Sequence, residues 1–362
     1  MIFYFVIFLF FIPFVYKEIY DSRIRNSGIF LLFITIFWLL SFIRWETGTD
    51  WDSYLLFFDN IIDPFSSSDS PEGNLETGFW FIANFSKWIS NSYTFFLFIQ
   101  STFLYFFLYK GLMQLSPYPL FSLFVYYSVG LGGIFFVRQT IALCILFYSI
   151  TFIIRRNLSL FLLLVFLATL IHRSAIIFII AYPIFFKSLK IYVVIGIMIA
   201  CAIGGSIISI MIADYLGAMG LGEYSSRILL YNDPDVVDEG FALSKTSFMI
   251  RGLVNRAFVM GLVYLFARNL KKKNCLFNGI LNIYIVGIIL FVFVAPISKE
   301  LARLTGYFDM AQLLLYPYIL SNIHGKLKHK MILALFLFFM FRLYSAIYQF
   351  HDSYVPYNTI LF

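Results

Sequence analysis

Eight arginines of this chain stand where an arginine needs a reason. Arg44, Arg138, Arg173, Arg227, Arg251, Arg256, Arg303 and Arg342 lie at the ends of long apolar segments, inside them, or in polar connections on one side of them, and Arg256 and Arg342 fall well inside. A cation within a membrane span costs at least about 2.5 kcal/mol, so it is retained when it pairs or lines a polar cavity. Guanidinium is a planar fork that grips two phosphate oxygens at once, and it is more weakly hydrated than ammonium, so it works in a partly dry pocket. The chemistry these residues suit is recognition of an anionic, phosphorylated ligand.

Four short stretches set other functional groups beside them. In "RWETGTDWDSY", Gly48 can turn the chain, Thr49 or Asp50 can cap a new helix, and Asp50 and Tyr54 then share a face one turn apart. "GLGGIFFVRQTIA" is a glycine-rich turn followed by Arg138 and Gln139 at a helix start, where free amides and the helix dipole attract anions. "LIHRSAII" sets His172 and Arg173 at a break between two short apolar segments, with Ser174 placed to cap the second. "SKELARLTGYFDM" puts Arg303 and Tyr307 one turn apart and carries Asp309 into an apolar segment, where it can pair with a buried arginine.

Each stretch has a plainer reading. Asp50 can be a cap alone, the glycines can serve helix packing, and a lone histidine is usually structural. Arg44, Arg138 and Arg173 can snorkel at helix ends, and Arg303 can pair with Glu300 or stack on Tyr307. It is the set of eight, more than any member, that argues for a site.

The elements that must hold these residues are membrane helices. The 362 residues are 61% hydrophobic, 21% aromatic and only 12% charged, against about 25% charged in soluble domains. A helix needs roughly 20 apolar residues to cross the hydrocarbon, whereas barrel strands would alternate. Apolar runs at 2–16, 28–43, 93–109, 118–136, 139–154, 158–171, 174–186, 191–212, 247–268, 276–297, 302–322 and 331–349 predict an all-α, polytopic bundle of about twelve segments. The two shortest, 158–171 and 174–186, read as half-helices meeting at a cavity. The N-terminal run has no basic flank and no cleavage site, and reads as an uncleaved span.

Cations then decide the sides. Alternate connections hold ten lysines and five arginines, with only Glu18 and Asp21 among the acids, and these are the cytoplasmic loops; both termini face outward. The other side holds three lysines and all eight arginines above. The net charge of +7 is thus accounted for by topology, and no nucleic-acid partner is implied. Two outward segments are long, 44–92 and 213–246, and the second, with Arg227 in it, is a candidate lid or acceptor-recognition segment. Cys144, Cys201 and Cys275 are far apart, and neither a disulfide framework nor a metal site is expected. Residues 1–362 read as one membrane domain.

Taken in order, "GTDWDSY" after the second span, "RQTIA" opening the fifth, "IHRSA" after the sixth and "RLTGYFDMAQLLLYP" in the eleventh resemble the EpsG-like family of the Wzy-type O-antigen and exopolysaccharide polymerases. The resemblance covers nearly the whole chain. It implies a bacterial inner-membrane glycosyltransferase of the C-type fold, independent of metal and cofactor, that joins undecaprenyl-diphosphate-linked oligosaccharide repeat units at the periplasmic face. Donor and acceptor are then both lipid-linked, and a chain-length regulator and a flippase of the same pathway are the implied partners.

Such a reaction needs positive charge at the departing diphosphate and a base for the acceptor hydroxyl. The diphosphate would be held by Arg138, Arg251, Arg256 and Arg303, with Arg44 and Arg173 beside them. Histidine as a residue type exchanges a proton near neutral pH, and His172 is preferred to Asp50 as the base. Tyr54, Gln139, Arg227, Tyr307 and Asp309 would contact sugar or support the site. Three rivals share part of this pattern: a flippase for the same lipid-linked sugar, which should show pseudo-symmetric halves; a membrane O-acyltransferase, whose donor enters from the cytoplasm; and an O-antigen ligase, separated only by the motif order.

Overall fold

The computed structural model describes residues 1–21, 28–65, 76–219, 245–268, 270 and 274–361. Among these the regular structure is helical, and strand-like pairing is confined to an isolated antiparallel bridge between Arg44 and Thr359. Among the described residues six helices are long and apolar enough to cross a membrane: Ile2–Tyr20, Tyr93–Leu115, Ile191–Ser209, Thr246–Phe266, Cys275–Val294 and Gly325–Gln349. Five other expected spans are shorter apolar helices of 10–17 residues, Gly28–Ile43, Pro119–Gly133, Arg138–Ile154, Leu158–Ile171 and Arg173–Phe185. The span expected at 302–322 is a chain of short helical pieces. The chain is therefore a polytopic helical membrane protein, and it divides into two compact units, Met1–Ile179 with Ile323–Phe362, and Ile180–Asn322.

The first unit holds α1 (Ile2–Tyr20), α2 (Gly28–Ile43), α3 (Trp51–Asp59), α4 (Thr77–Ile89), α5 (Tyr93–Leu115), α6 (Pro119–Gly130), α7 (Arg138–Ile154) and α8 (Leu158–Ile171). Apolar composition all round buries α5, α6 and α7 at its centre: α5 packs on α2 and α7, α7 on α8, and α6 on α1. Helix starts are chemically marked. Asn157 accepts from the Leu160 amide, and the buried Glu18 carboxylate reaches across from α1 to accept from the Leu120 and Phe121 amides, both at 2.9 Å, at the proline-led start of α6. The region expected as one long outward segment, 44–92, contains two helices, α3 and α4, each with one buried face.

Close approach needs a glycine at one place that matters for the site. A Cβ on Gly78, in the first turn of α4, would lie 2.7 Å from the Leu170 carbonyl oxygen near the end of α8. At Gly48 the requirement is conformational, since φ is +126°, and this turn leads from α2 into α3. The C-terminal residues fasten that turn: Trp45 N–H donates to Asn358 O at 3.0 Å, Gly48 N–H to Ser353 O at 2.8 Å, and Ile360 N–H to Ile43 O at 2.9 Å.

The second unit is built around α12 (Cys275–Val294), with α9 (Ala181–Phe185), α10 (Ile191–Met219) and the short α13 (Gly306–Asp309) packed on it. α11 (Lys245–Phe266) packs on α14 (Gln312–Ser321). Within α12 the buried Asn282 amide donates to the Ile184, Phe185 and Lys187 carbonyls, satisfying the end of α9. The proposed lid falls largely on residues 220–244, which lie outside the described residues.

Candidate functional site

Four chain segments of the first unit bring polar side chains together. The Gly48 turn starts α3 and carries Tyr54 on its buried face. Glu76 stands immediately before α4, where its own side chain makes no cap bond to the helix it precedes. Left-handed backbone at Leu131, Gly132 and Gly133 ends α6 and lets the chain re-enter as α7 at Arg138. α8 stops at His172, whose extended backbone (φ −152°, ψ 111°) breaks the helix before a 3₁₀ helix begins at Arg173. Ser174, expected as a cap, instead lies inside the first turn of that helix.

Glu76 is the centre of the cluster. Its Oε2 accepts from Arg138 Nη1, and its Oε1 accepts from His172 Nδ1 at 3.0 Å and from the Arg173 backbone N–H at 3.3 Å. Arg138 Nε also donates to the Tyr54 hydroxyl at 3.3 Å, and its guanidinium lies over the Phe79 ring at 5.3 Å. The carboxylate is the buried member, its side chain 7% exposed, while Arg138 and His172 remain 26% and 29% exposed. Burial by itself would raise the Glu76 carboxyl, but the His172 hydrogen bond, the Arg138 charge and backbone amides outweigh it and hold the group down to about 2. The Tyr54 phenol is pushed above its ordinary value by burial and by the Asp50 carboxylate, with Arg138 opposing both.

The other expected residues of this unit fall around that cluster with differing engagement. Asp50 is the N-cap residue of α3, half-buried, and its side chain makes no cap hydrogen bond. Its charge acts on both Tyr54 and Arg138. Gln139 follows Arg138 in the first turn of α7, half-buried, and Arg173 is exposed. Arg44 is 3% exposed and donates to Phe136 O at 3.2 Å; its guanidinium is boxed by Phe136, Trp51 and Phe135 at 4.8, 5.8 and 5.9 Å. It is enclosed by aromatic rings, and the position at a helix end that suggested a snorkelling or phosphate-facing group is covered.

In the second unit Arg256 and Asp309 form an ion pair at 2.5 Å, as a buried arginine and an intramembrane carboxylate should. Arg256 Nη2 also donates to Thr305 Oγ1 at 2.8 Å, Nη1 donates to Gly252 O at 3.1 Å, and the guanidinium sits 3.8 Å from the Phe291 ring centre. Its fork is thus turned to protein groups. A cavity of about 300 Å³ runs past it, lined otherwise by apolar residues such as Val194, Met198, Leu253 and Ile288. Arg251 is half-buried, Arg303 exposed and Tyr307 buried. Arg227 lies outside the described residues. The six arginines assigned to one diphosphate therefore divide three and three between the units, and Glu76, His172, Arg138 and Tyr54 are the set brought into contact.

Sequence reasoning missed Glu76 and Thr305. Glu76 is one of several acids in a long polar connection, and its only signal is an acid directly ahead of the apolar run "TGFWFIA". Thr305 was legible as the residue one turn before Asp309.

Neither the curated proteins nor the solved structures include a match to this chain. The model of the EpsG family matches residues 28–359, nearly the whole length and all of the cluster around Glu76, and the chain belongs to the EpsG family.

Proposed function

We propose that the protein is a polysaccharide polymerase that transfers a lipid-diphosphate-linked glycan onto a hydroxyl of a second lipid-linked repeat unit at the periplasmic face of the bacterial inner membrane. Family membership supports the polymerase class. The observation that carries the site is the half-open His172 and Arg138, a ring and a cation held on the two oxygens of one buried carboxylate, Glu76, at the broken end of α8 and the start of α7.

In this reading His172 removes the acceptor proton, and the exposed parts of Arg138 and Arg173 receive the charge that develops on the departing diphosphate, in place of a metal ion. Asp50 and Tyr54 border the same space. Arg251 and Arg303, in the second unit, stay candidates for diphosphate binding, and Arg44 and Arg256 are braces. The full count of twelve crossings, with 44–92 and 213–246 outward, belongs to the same proposal.

Deleting the gene tests it. Surface glycan reduced to single capped repeat units, with export intact, is the expected result. Complete loss of surface sugar would favour a flippase or ligase and refute the polymerase reading.

A further inference from the structure

We infer that Glu76 is a positioning residue for the proposed glycosyl transfer, fixing both the tautomer and the aim of His172 so that Nε2 is the atom that takes the acceptor proton. This rests on the polymerase reading for the identity of the reaction, and on geometry alone for the state of the ring.

An ionised carboxylate only accepts hydrogen bonds, so the 3.0 Å contact between Glu76 Oε1 and His172 Nδ1 requires the proton to be on Nδ1. A neutral ring then carries its lone pair on Nε2. A free histidine side chain favours the opposite tautomer, so the carboxylate is what selects this one. Glu76 is itself held from three directions, by Arg138 Nη1, His172 Nδ1 and the Arg173 amide, and is 6% exposed. The imidazole is therefore tethered on its buried side and open on the other, where no hydrogen-bond partner for Nε2 is found among the described residues. The extended backbone at His172 fixes the root of the side chain, and Gly78 lets α4 approach α8 closely enough for Glu76 to reach it.

The transfer balances through this ring. The acceptor oxygen bonds to the anomeric carbon, the bond from that carbon to the diphosphate oxygen breaks, and its electron pair leaves with the diphosphate. The hydroxyl proton passes to Nε2. The resulting imidazolium keeps its Nδ1 proton against Glu76, whose charge stabilises it, and returns the Nε2 proton to water. The same carboxylate also neutralises Arg138, so the cation and the base are set by one group.

A purely structural staple between α4, α7 and α8 would not care which nitrogen of His172 carries the proton, and that difference is measurable. The full-length protein in nanodiscs, labelled with ¹⁵N-histidine, has ring signals from His172, His324, His329 and His351, and the first is identified by its loss in His172→Gln. The wild type should show His172 protonated at Nδ1, and Glu76→Ala should move the proton to Nε2. Glu76→Gln, whose amide oxygen still accepts, should keep the tautomer but lose the charge, lowering kcat about 100-fold on lipid-diphosphate oligosaccharide with KM changed little. Glu76→Asp should recover part of the rate. A wild-type ring protonated at Nε2, or a kcat unchanged in Glu76→Ala, would overturn the inference. The expected tautomer shift in a protein that transfers no sugar would instead refute the polymerase reading and leave the hold of Glu76 on His172 standing.

Discussion

The Arg256–Asp309 pair allows a sharp test of what an intramembrane arginine is for. Arg256 is 8% exposed, bonded to Asp309 at 2.5 Å and to Thr305 at 2.8 Å, and stacked 3.8 Å over Phe291. Asp309→Asn leaves that guanidinium buried without its counter-charge, and removing one member of such a pair costs about 3–5 kcal/mol. Arg256→Met takes the arginine charge from Asp309 and should also destabilise the protein. Replacing both, Arg256→Met with Asp309→Leu, removes the desolvation penalty with the attraction, so the double variant should be destabilised by about 1 kcal/mol or less. The non-additivity is then at least about 2 kcal/mol, well above the few tenths expected of independent sites. Reversible unfolding in mixed micelles, followed by tryptophan fluorescence, reads all four proteins. The double variant should also keep its transfer activity within a few-fold, because the fork is turned to protein. Additive losses would refute the ion-pair account, and a stable double variant without activity would return Arg256 to the substrate.

Three further outcomes are expected. Glu76 has a folded-state value near 2 against an ordinary 4.5, so it stabilises the fold above pH 4.5 by about 3 kcal/mol and loses that contribution as pH falls toward 2; the stability gap between wild type and Glu76→Gln should be full at pH 7 and less than half as large at pH 3. Gly78→Ala should abolish the α4–α8 contact, since its Cβ would meet the Leu170 carbonyl at 2.7 Å, and the His172 tautomer signal should change with it. Truncation after Phe350 removes the partners of the Ile43, Trp45 and Gly48 backbone, so limited proteolysis should newly cut at 45–49 and expose Arg44, while α5 and α7 stay protected.

Helices were legible because hydrophobicity is a one-dimensional signal: the runs at 2–16, 93–109 and 331–349 sit inside helices of nineteen residues or more, and the run at 276–297 overruns its twenty-residue helix only at 295–297. Helix length was less legible, because apolar composition alone does not mark where a helix ends; the runs at 118–136 and 139–154 hold helices α6 and α7 of 12 and 17 residues. Breaks marked by glycine or by charge were also visible, and Gly48, Gly132 and the His172 junction each fall where the chain turns.

What the sequence hides is the partner of each charge, since pairing is set by packing between segments distant in the chain. Arg138, His172 and Asp309 announce themselves by standing in apolar surroundings, whereas Glu76 stands in a polar connection where an acid costs nothing in the unfolded chain and draws no notice. It becomes significant only when Gly78 brings the start of α4 against the end of α8 and buries the carboxylate, for then a lone buried charge is intolerable without donors. Three donors converge on it, and two of them are the exposed-edge groups that chemistry would use. The same reasoning reverses the standing of Arg44 and Arg256. Both were prominent as unexplained cations, and both turn out to be enclosed, one by rings and one by a carboxylate, so their prominence in the sequence measures how much protein is needed to hold them.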